Sequence, residues 1–238
     1  MSTTHLLERQ PVAEGTMAFR LAKPEGFSYK AGQTVDLTLP NPPETDAEGN
    51  TRTFSLASDP AEASLMIATR MRDTAFKRVL RTMPLDAPIQ LEGPFGDLIL
   101  PSRSSRPVVL LAGGIGITPF HAMVLAAARE KLAHRIFLFY GNRRPEDAAF
   151  LDELMALPAR NPRFTLVAVM SEMEKSPRPW DGPRGLITAE LLSKYLEGAA
   201  DPLYYIAGPP AMVAALKTTL TASGVNEDDI RSEEFPGY

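Results

Sequence analysis

Beginning at Val108 the hydrophobic rhythm of the chain changes, and that change limits the available folds more than any other feature. VVLLAGG (108–114) is a continuous apolar run, the pattern of a strand buried on both faces, and ITPFHAMVLAAAREKL (117–132) follows at helical spacing. The alternation then repeats. RIFLFYG (135–141) precedes PEDAAFLDELMAL (145–157), FTLVAVM (164–170) precedes TAELLSKYL (188–196), and LYYIAG (203–208) precedes PAMVAALKTTLTASG (210–224), with IRSEEF (230–235) as a last strand. Strand and helix in strict alternation predict an α/β half built on a five-stranded parallel doubly wound sheet with right-handed crossovers.

Before residue 100 the pattern is short and alternating. GQTVDLTL (32–39), RTFSLAS (52–58), SLMIATRM (64–71) and PIQLEG (88–93) read as strands bounded by Pro, Gly, Asp and Asn. NPPETDAEGN (41–50) is a polar loop, and TAFKRVLRTM (74–83) is the one helix of this half. The expectation is a small antiparallel β-barrel. The connector PSRSSRP (101–107) places the boundary near residue 103, giving domains 1–103 and 104–238.

Composition removes several function classes. Lys and Arg number 25 against 29 Asp and Glu, so there is no basic field of the kind nucleic-acid binding needs. The absence of cysteine excludes disulfides, thiolate-ligated zinc, cysteine-ligated iron-sulfur clusters and a cysteine nucleophile. His5, His121 and His134 are scattered, so no metal site is expected, and no nucleophile elbow is present. The N-terminal MSTTHLLERQP is interrupted by Glu8 and Arg9 where a secretory signal would be apolar, so a cytoplasmic location is expected. Val108 to Ala128 carries no charge, but Gly113, Gly114, Gly116 and Pro119 break it, and no membrane insertion is expected.

Five segments can carry chemistry. In GGIGITP (113–119), glycines at the end of a parallel strand let the backbone approach a pyrophosphate at a helix N-terminus, although any strand-to-helix turn can use glycines. In RTFSLAS, Arg52 can neutralise a phosphate, Phe54 lie against a flat ring and Ser55 bond its edge; a half-buried strand is the alternative. RMRDTAFKRVLR (70–81) sets Arg70, Arg72, Lys77, Arg78 and Arg81 against a single acid, Asp73, with Asp73 or Thr74 capping a helix whose first N–H groups stay available. A solvated basic face accounts for the same residues. IAGPPAMV (206–213) puts Gly208, Pro209 and Pro210 at a strand's carboxyl end, where ligands bind in open α/β sheets and where proline also simply starts helices. SEEFPGY (232–238) ends on Tyr238, which frayed chain would also explain.

In this order the motifs resemble those of the ferredoxin-NADP reductase superfamily of flavoprotein reductases, over nearly the whole chain. Its R-x-Y/F-S strand is matched by Arg52, Phe54 and Ser55, and its G-P-F-G strand by Gly93 to Gly96. Its G-G-x-G-x-T-P loop is matched by Gly113 to Pro119, its G-P-P turn by Gly208 to Pro210, and its acidic-aromatic C-terminus by Glu233 to Tyr238. The resemblance implies an FAD-binding barrel, an NAD(P)-binding domain and hydride transfer across the cleft between them. It would place Arg52, with Thr53 beside it, on the flavin pyrophosphate, Phe54 on the isoalloxazine and Ser55 near the flavin N5. The helix opening at Thr74 and Ala75, with Arg70 and Arg72, would complete the pyrophosphate site. Gly113, Gly114, Gly116, Thr118 and Pro119 would bind the nicotinamide nucleotide, with Thr118 near the nicotinamide. Asn142, Arg143, Arg144, Gly208, Pro209 and Pro210 would complete that site. Glu233 or Glu234, with Phe235, would approach the flavin from the C-terminus, and Tyr238 would cover it. Ser55, Thr118, Glu234 and Tyr238 are therefore the expected catalytic residues.

Two departures from the family pattern matter. Where relatives often carry Gly-x-x-Ser/Thr the chain has Asp73, Thr74 and Ala75, which leaves FAD favoured over FMN; where plant-type members have a cysteine it has Ala207. Arg143, Arg144, Lys175 and Arg178 are candidates for a 2′-phosphate, so NADPH stays open. Ser171-Glu172, in place of Ser-Arg, and the Pro-x-x-Trp segment within 177–185 favour NADH. A length of 238 residues matches the two domains with nothing appended, so a separate electron acceptor is expected: a ferredoxin, another redox protein or an oxygenase component. The alternatives are a flavin-bearing or nucleotide-sensing subunit of a larger assembly, and a reductase of free flavin or ferric chelates.

Overall fold

The computed structural model describes residues 1–101 and 105–236, so the expected boundary at residue 103 and the terminal Tyr238 lie outside the described residues. Six strands form the first sheet: β1 (Ser2–Ala13), β2 (Thr16–Ala22), β3 (Thr34–Thr38), β4 (Thr51–Ser55), β5 (Ser64–Arg70) and β6 (Pro88–Phe95), with α1 (Ala75–Thr82) between the last two. They pair antiparallel in the order β4-β3-β6-β1-β2-β5. The sheet curls into a barrel-like form, so that the Ala57 N–H, just past β4, donates to the Met66 carbonyl of β5 at 2.7 Å. Leu6, Phe19, Leu37, Ile67 and Leu91 fill its interior. Helix α1 seals one end with Phe76, Val79 and Leu80, which its period brings to one face, while Lys77, Arg78 and Arg81 take the other.

Nine elements make the second half: β7 (Val108–Gly113), α2 (Ile117–Glu130), β8 (Ile136–Asn142), α3 (Leu151–Ala156), β9 (Phe164–Met170), α4 (Ala189–Tyr195), β10 (Leu203–Gly208), α5 (Pro210–Ala222) and β11 (Ile230–Glu234). The strands pair parallel in the order β11-β10-β7-β8-β9, as the alternation predicts. Every residue of β7 is buried. Val108, Leu110 and Ala112 pack with Ile117, Phe120 and Val124 of α2, whereas Val109 and Leu111 pack with Val213, Leu216 and Leu220 of α5. That two-sided burial explains the unbroken apolar run. Strand order reverses beside β7, so the carboxyl ends of β7 and β10 flank the crevice where such sheets take ligands.

The expected helix over 145–157 is corrected. Pro145–Asp147 is a single 3-10 turn, Phe150 adopts φ +61°, and α3 covers only Leu151–Ala156. Packing overrides propensity here: the Phe150 ring stacks on His121 at 4.1 Å. His121, fully buried in α2, ties the halves together, its Nδ1 lying 2.7 Å from the Ala57 carbonyl and its Nε2 3.0 Å from the Glu153 carboxylate. Arg129 adds a bidentate pair with Asp59 at 2.7 and 3.0 Å, and Arg144 reaches Glu14 at 2.8 Å. Among the described residues no helix is long and apolar enough to cross a membrane.

Candidate functional site

A cleft of about 380 Å³ opens between the two halves. The barrel contributes Arg52, Thr53, Phe54 and Ser55 of β4 together with Arg72, Thr74 and Lys77 at the start of α1. The parallel half contributes Ile115 and Thr118 from the turn after β7, and Glu233, Glu234 and Phe235 from the end of β11. Segments far apart in sequence thus converge much as the motifs imply. Two hydroxyls enter from opposite sides. Thr118 Oγ1 donates to the Ile115 carbonyl at 3.0 Å, but the Ser55 Oγ, only 3% exposed, has no hydrogen-bond partner. An orphaned buried hydroxyl is costly unless a ligand completes it, so the cleft fits a ring with a polar edge.

The phosphate end differs from expectation. Arg52 and the first N–H groups of α1 are not free: Arg52 Nη2 donates to Glu48 at 2.7 Å, and the Ala75 N–H donates to Asp46 at 2.7 Å. That N–H holds the Asp46 carboxyl below the usual carboxylate range. Thr74 caps the helix by accepting from the Lys77 N–H. Ala75 itself points into the core. Arg70 lines the other cavity described below, 3.9 Å from Asp147, and so lies apart from Arg72 and Lys77. Lys77, one of the five bases of the 70–81 segment, sits half-buried in the cleft wall; burial, with Arg72 and Arg52 nearby, pushes its ammonium down to about 8. Depressed basicity in a cationic wall suits an anionic ligand.

A second cavity, of about 530 Å³, lies at the carboxyl ends of the parallel strands. Gly113, Gly114, Asn142, Arg143 and Pro209 line it as expected, and Leu186, Ile187 and Met212 join them unforeseen. Gly114 has φ +53° and nothing within 4 Å of where a Cβ would stand, and the Asn142 side chain beside it is hydrogen-bonded to the Tyr140 hydroxyl. An open backbone turn at a parallel strand's carboxyl end, beside Arg143, fits a nucleotide phosphate. Other expected residues are absent from both cavities. Gly116 packs on the Ala207 carbonyl, Gly208 packs on Gly113, Pro119 is buried in α2, and Pro210 is exposed at the start of α5. Arg144 is committed to Asp147 and Glu14.

At the C-terminal edge Glu233, not Glu234, is the more enclosed carboxyl: burial pushes it up to about 7 from 4.5. Between those values the folded chain holds a proton that the unfolded chain has released, so stability falls as pH rises from 4.5 to about 7. In the flavin-free chain Glu233→Gln is expected to remove that fall and to exceed the parent at pH 8 by roughly 1–3 kcal/mol, allowing for partial exposure. Urea unfolding across this pH range checks it; parallel pH profiles for the two proteins would refute the assignment.

The model of the oxidoreductase NAD-binding domain matches residues 110–218. The reductase component of propane 2-monooxygenase from Rhodococcus jostii is 27% identical over 244 residues, 98% of this chain and 63% of that protein. The chain spans less than two thirds of the length of this and similar curated relatives. Among solved structures, the FAD/NAD-binding domain of nitric oxide dioxygenase from Vibrio cholerae superposes with a TM-score of 0.81 at 21% identity, covering 98% of each chain. A ferredoxin NADP+ reductase from Neisseria gonorrhoeae gives 0.78 at 24% identity, again over 98% of each. Over 98% of its length the chain therefore shares the fold of these two proteins, a barrel-like antiparallel sheet followed by a five-stranded parallel sheet.

Proposed function

We propose that the chain is an NAD(P)H-dependent flavoprotein reductase that holds FAD in the cleft and passes electrons to a separate acceptor, an oxygenase component or a ferredoxin. The observation that carries this reading is the single cleft lined jointly by β4 and by the turn after β7, with the unpartnered Ser55 Oγ at its wall. The relatives' role as reductase components of oxygenases supports it. We divide the chain as 1–103 for the flavin and 104–238 for the nicotinamide nucleotide, and place it in the cytoplasm, where reduced nicotinamide is supplied.

Bound FAD supplies the ability to take a hydride and release electrons singly. The chain's own residues supply position. Arg52, Arg72, Lys77 and the start of α1 hold the diphosphate; Phe54, braced on Phe76 at 5.9 Å, bounds the ring; Ser55 bonds its edge. Gly114, Asn142 and Pro209 hold the nicotinamide nucleotide so that Thr118 orients its ring towards the cleft, while Glu233 and Phe235 close the opposite side and exclude water.

NADH is the better fit. Each of the four cations available for a 2′-phosphate already has a carboxylate: Arg143 has Asp147 at 3.7 Å, Arg144 has Asp147 at 3.0 Å, Lys175 has Glu172 at 2.7 Å and Arg178 has Asp152 at 2.8 Å. Glu172 would repel the added phosphate. The expected result is a yellow protein whose visible absorbance bleaches anaerobically with NADH, with a kcat/KM at least about tenfold above that for NADPH. A colourless chain that FAD does not reconstitute would overturn the reading, and equal use of both nucleotides would overturn the preference.

A further inference from the structure

The loop between β3 and β4 carries three acids, and two of them, Asp46 and Glu48, are bound to Arg52 and the start of α1 at the flavin cleft. Asp46 Oδ2 accepts the N–H of Ala75, the first residue of the eight-residue α1, while its Oδ1 lies 3.7 Å from Arg52 Nη2. Glu48 takes Arg52 Nη2 at 2.7 Å, and Arg52 Nη1 is consumed by the carbonyls of Glu48, Gly49 and Thr51. Glu44 pairs with Arg78 one turn along the helix. Asp46 therefore presents one oxygen to a helix N-terminus, while the other accepts the Glu48 N–H at 3.0 Å and keeps its charge beside a guanidinium, the partners a phosphate would take.

The same cleft also shows an unmet requirement for a ligand. Ser55 is nine-tenths buried and more, its Oγ lacks a partner, and Lys77 and Arg72 stand beside the Arg52 site. A diphosphate arriving at α1 would meet the Asp46 carboxylate at contact range, where two like charges in a partly desolvated wall repel strongly. The loop can yield. The Leu39 N–H donates to the Asn50 carbonyl, and the Asn50 amide to the Leu39 carbonyl, so its ends are pinned. Between those ends, Asp46 and Glu48 are what fasten it to the Arg52 site, through Glu48 and Gly49 carbonyls as well as carboxylates, and Gly49, at φ +75°, gives the backbone its turn there.

We propose that Asp46 and Glu48 are internal anions that fill the diphosphate cradle of the empty chain and are displaced when a flavin dinucleotide binds, so that the 41–50 loop sets flavin affinity by competition. This rests on the flavin reading above. Protein stripped of flavin, and its Asp46→Asn and Glu48→Gln variants, would be titrated with FAD by flavin fluorescence and melted with and without inorganic pyrophosphate. Asp46→Asn is expected to bind FAD about tenfold more tightly and Glu48→Gln about threefold, because each loses a competing charge. Pyrophosphate should raise the melting temperature of Asp46→Asn more than that of the parent. Equal or weaker FAD binding by both variants overturns the proposal. Should FAD bind none of the three while pyrophosphate still favours Asp46→Asn, the flavin reading falls and the internal-anion assignment stands.

Discussion

Gly116→Ala is expected to cost roughly 1–3 kcal/mol of stability and to disturb the cleft, although the substitution adds only one methyl group to a residue with ordinary backbone angles. The new Cβ would stand 2.2 Å from the Ala207 carbonyl oxygen, 2.5 Å from its carbon and 2.6 Å from the Gly208 nitrogen. All three atoms are backbone at the end of β10, held by the parallel ladders to β7 and β11, so none can swing aside as a side chain would. The start of α2 must retreat instead, carrying Thr118 with it. Gly114→Ala is the control: its φ of +53° costs about 1 kcal/mol in any residue but glycine, yet nothing lies within 4 Å to be pushed. Urea unfolding of both variants should separate the effects, and a Gly116→Ala no less stable than Gly114→Ala would show that the close approach is not needed.

This contrast also shows what the sequence can carry. The parallel half was legible because burial on both faces writes a strand as an unbroken apolar run, as at Val108–Gly113, and because the helices are long enough to show their period. Strands β1 and β2 were missed for the converse reason. Ser2 to His5 pair with β6 while Leu6 to Ala13 pair with β2, and register shifts at Leu6/Glu8 and Pro11/Ala13 reset the alternation each time. One signal was available: Glu14-Gly15 between Ala13 and Thr16 is a two-residue hairpin turn with Gly15 at φ +64°. At the site, Gly113, Gly114 and Pro209 of the motifs do line the second cavity, but the occupant of the phosphate end was not legible. Asp46 and Glu48 sit in a loop with no motif; only the excess of acids at 44–48 facing an excess of bases at 70–81 hinted at their meeting.

Ser55→Ala should stabilise the flavin-free chain by about 1 kcal/mol and yet slow the reduction of bound flavin by NADH about 10²-fold. The opposed signs follow from one fact: the hydroxyl is buried with no partner until a ligand provides one. Ser58, three residues on, makes the comparison within the same chain. It is equally buried, but its Oγ lies 2.8 Å from the Tyr29 hydroxyl and accepts the Met66 N–H at 2.9 Å, so Ser58→Ala leaves two polar groups stranded and should lose roughly 1–3 kcal/mol. Two serines on one short segment would then respond to the same substitution in opposite directions. Equilibrium unfolding of the flavin-free proteins reads the first part, and anaerobic stopped-flow with the flavin-loaded Ser55→Ala reads the second. A loss of stability at Ser55 equal to that at Ser58 would mean that its hydroxyl is already satisfied within the empty chain. Full-speed reduction in a stabilised Ser55→Ala would mean that the orphaned hydroxyl does not bond the reacting edge of the ring, and would move the orienting role to Thr118 across the cleft.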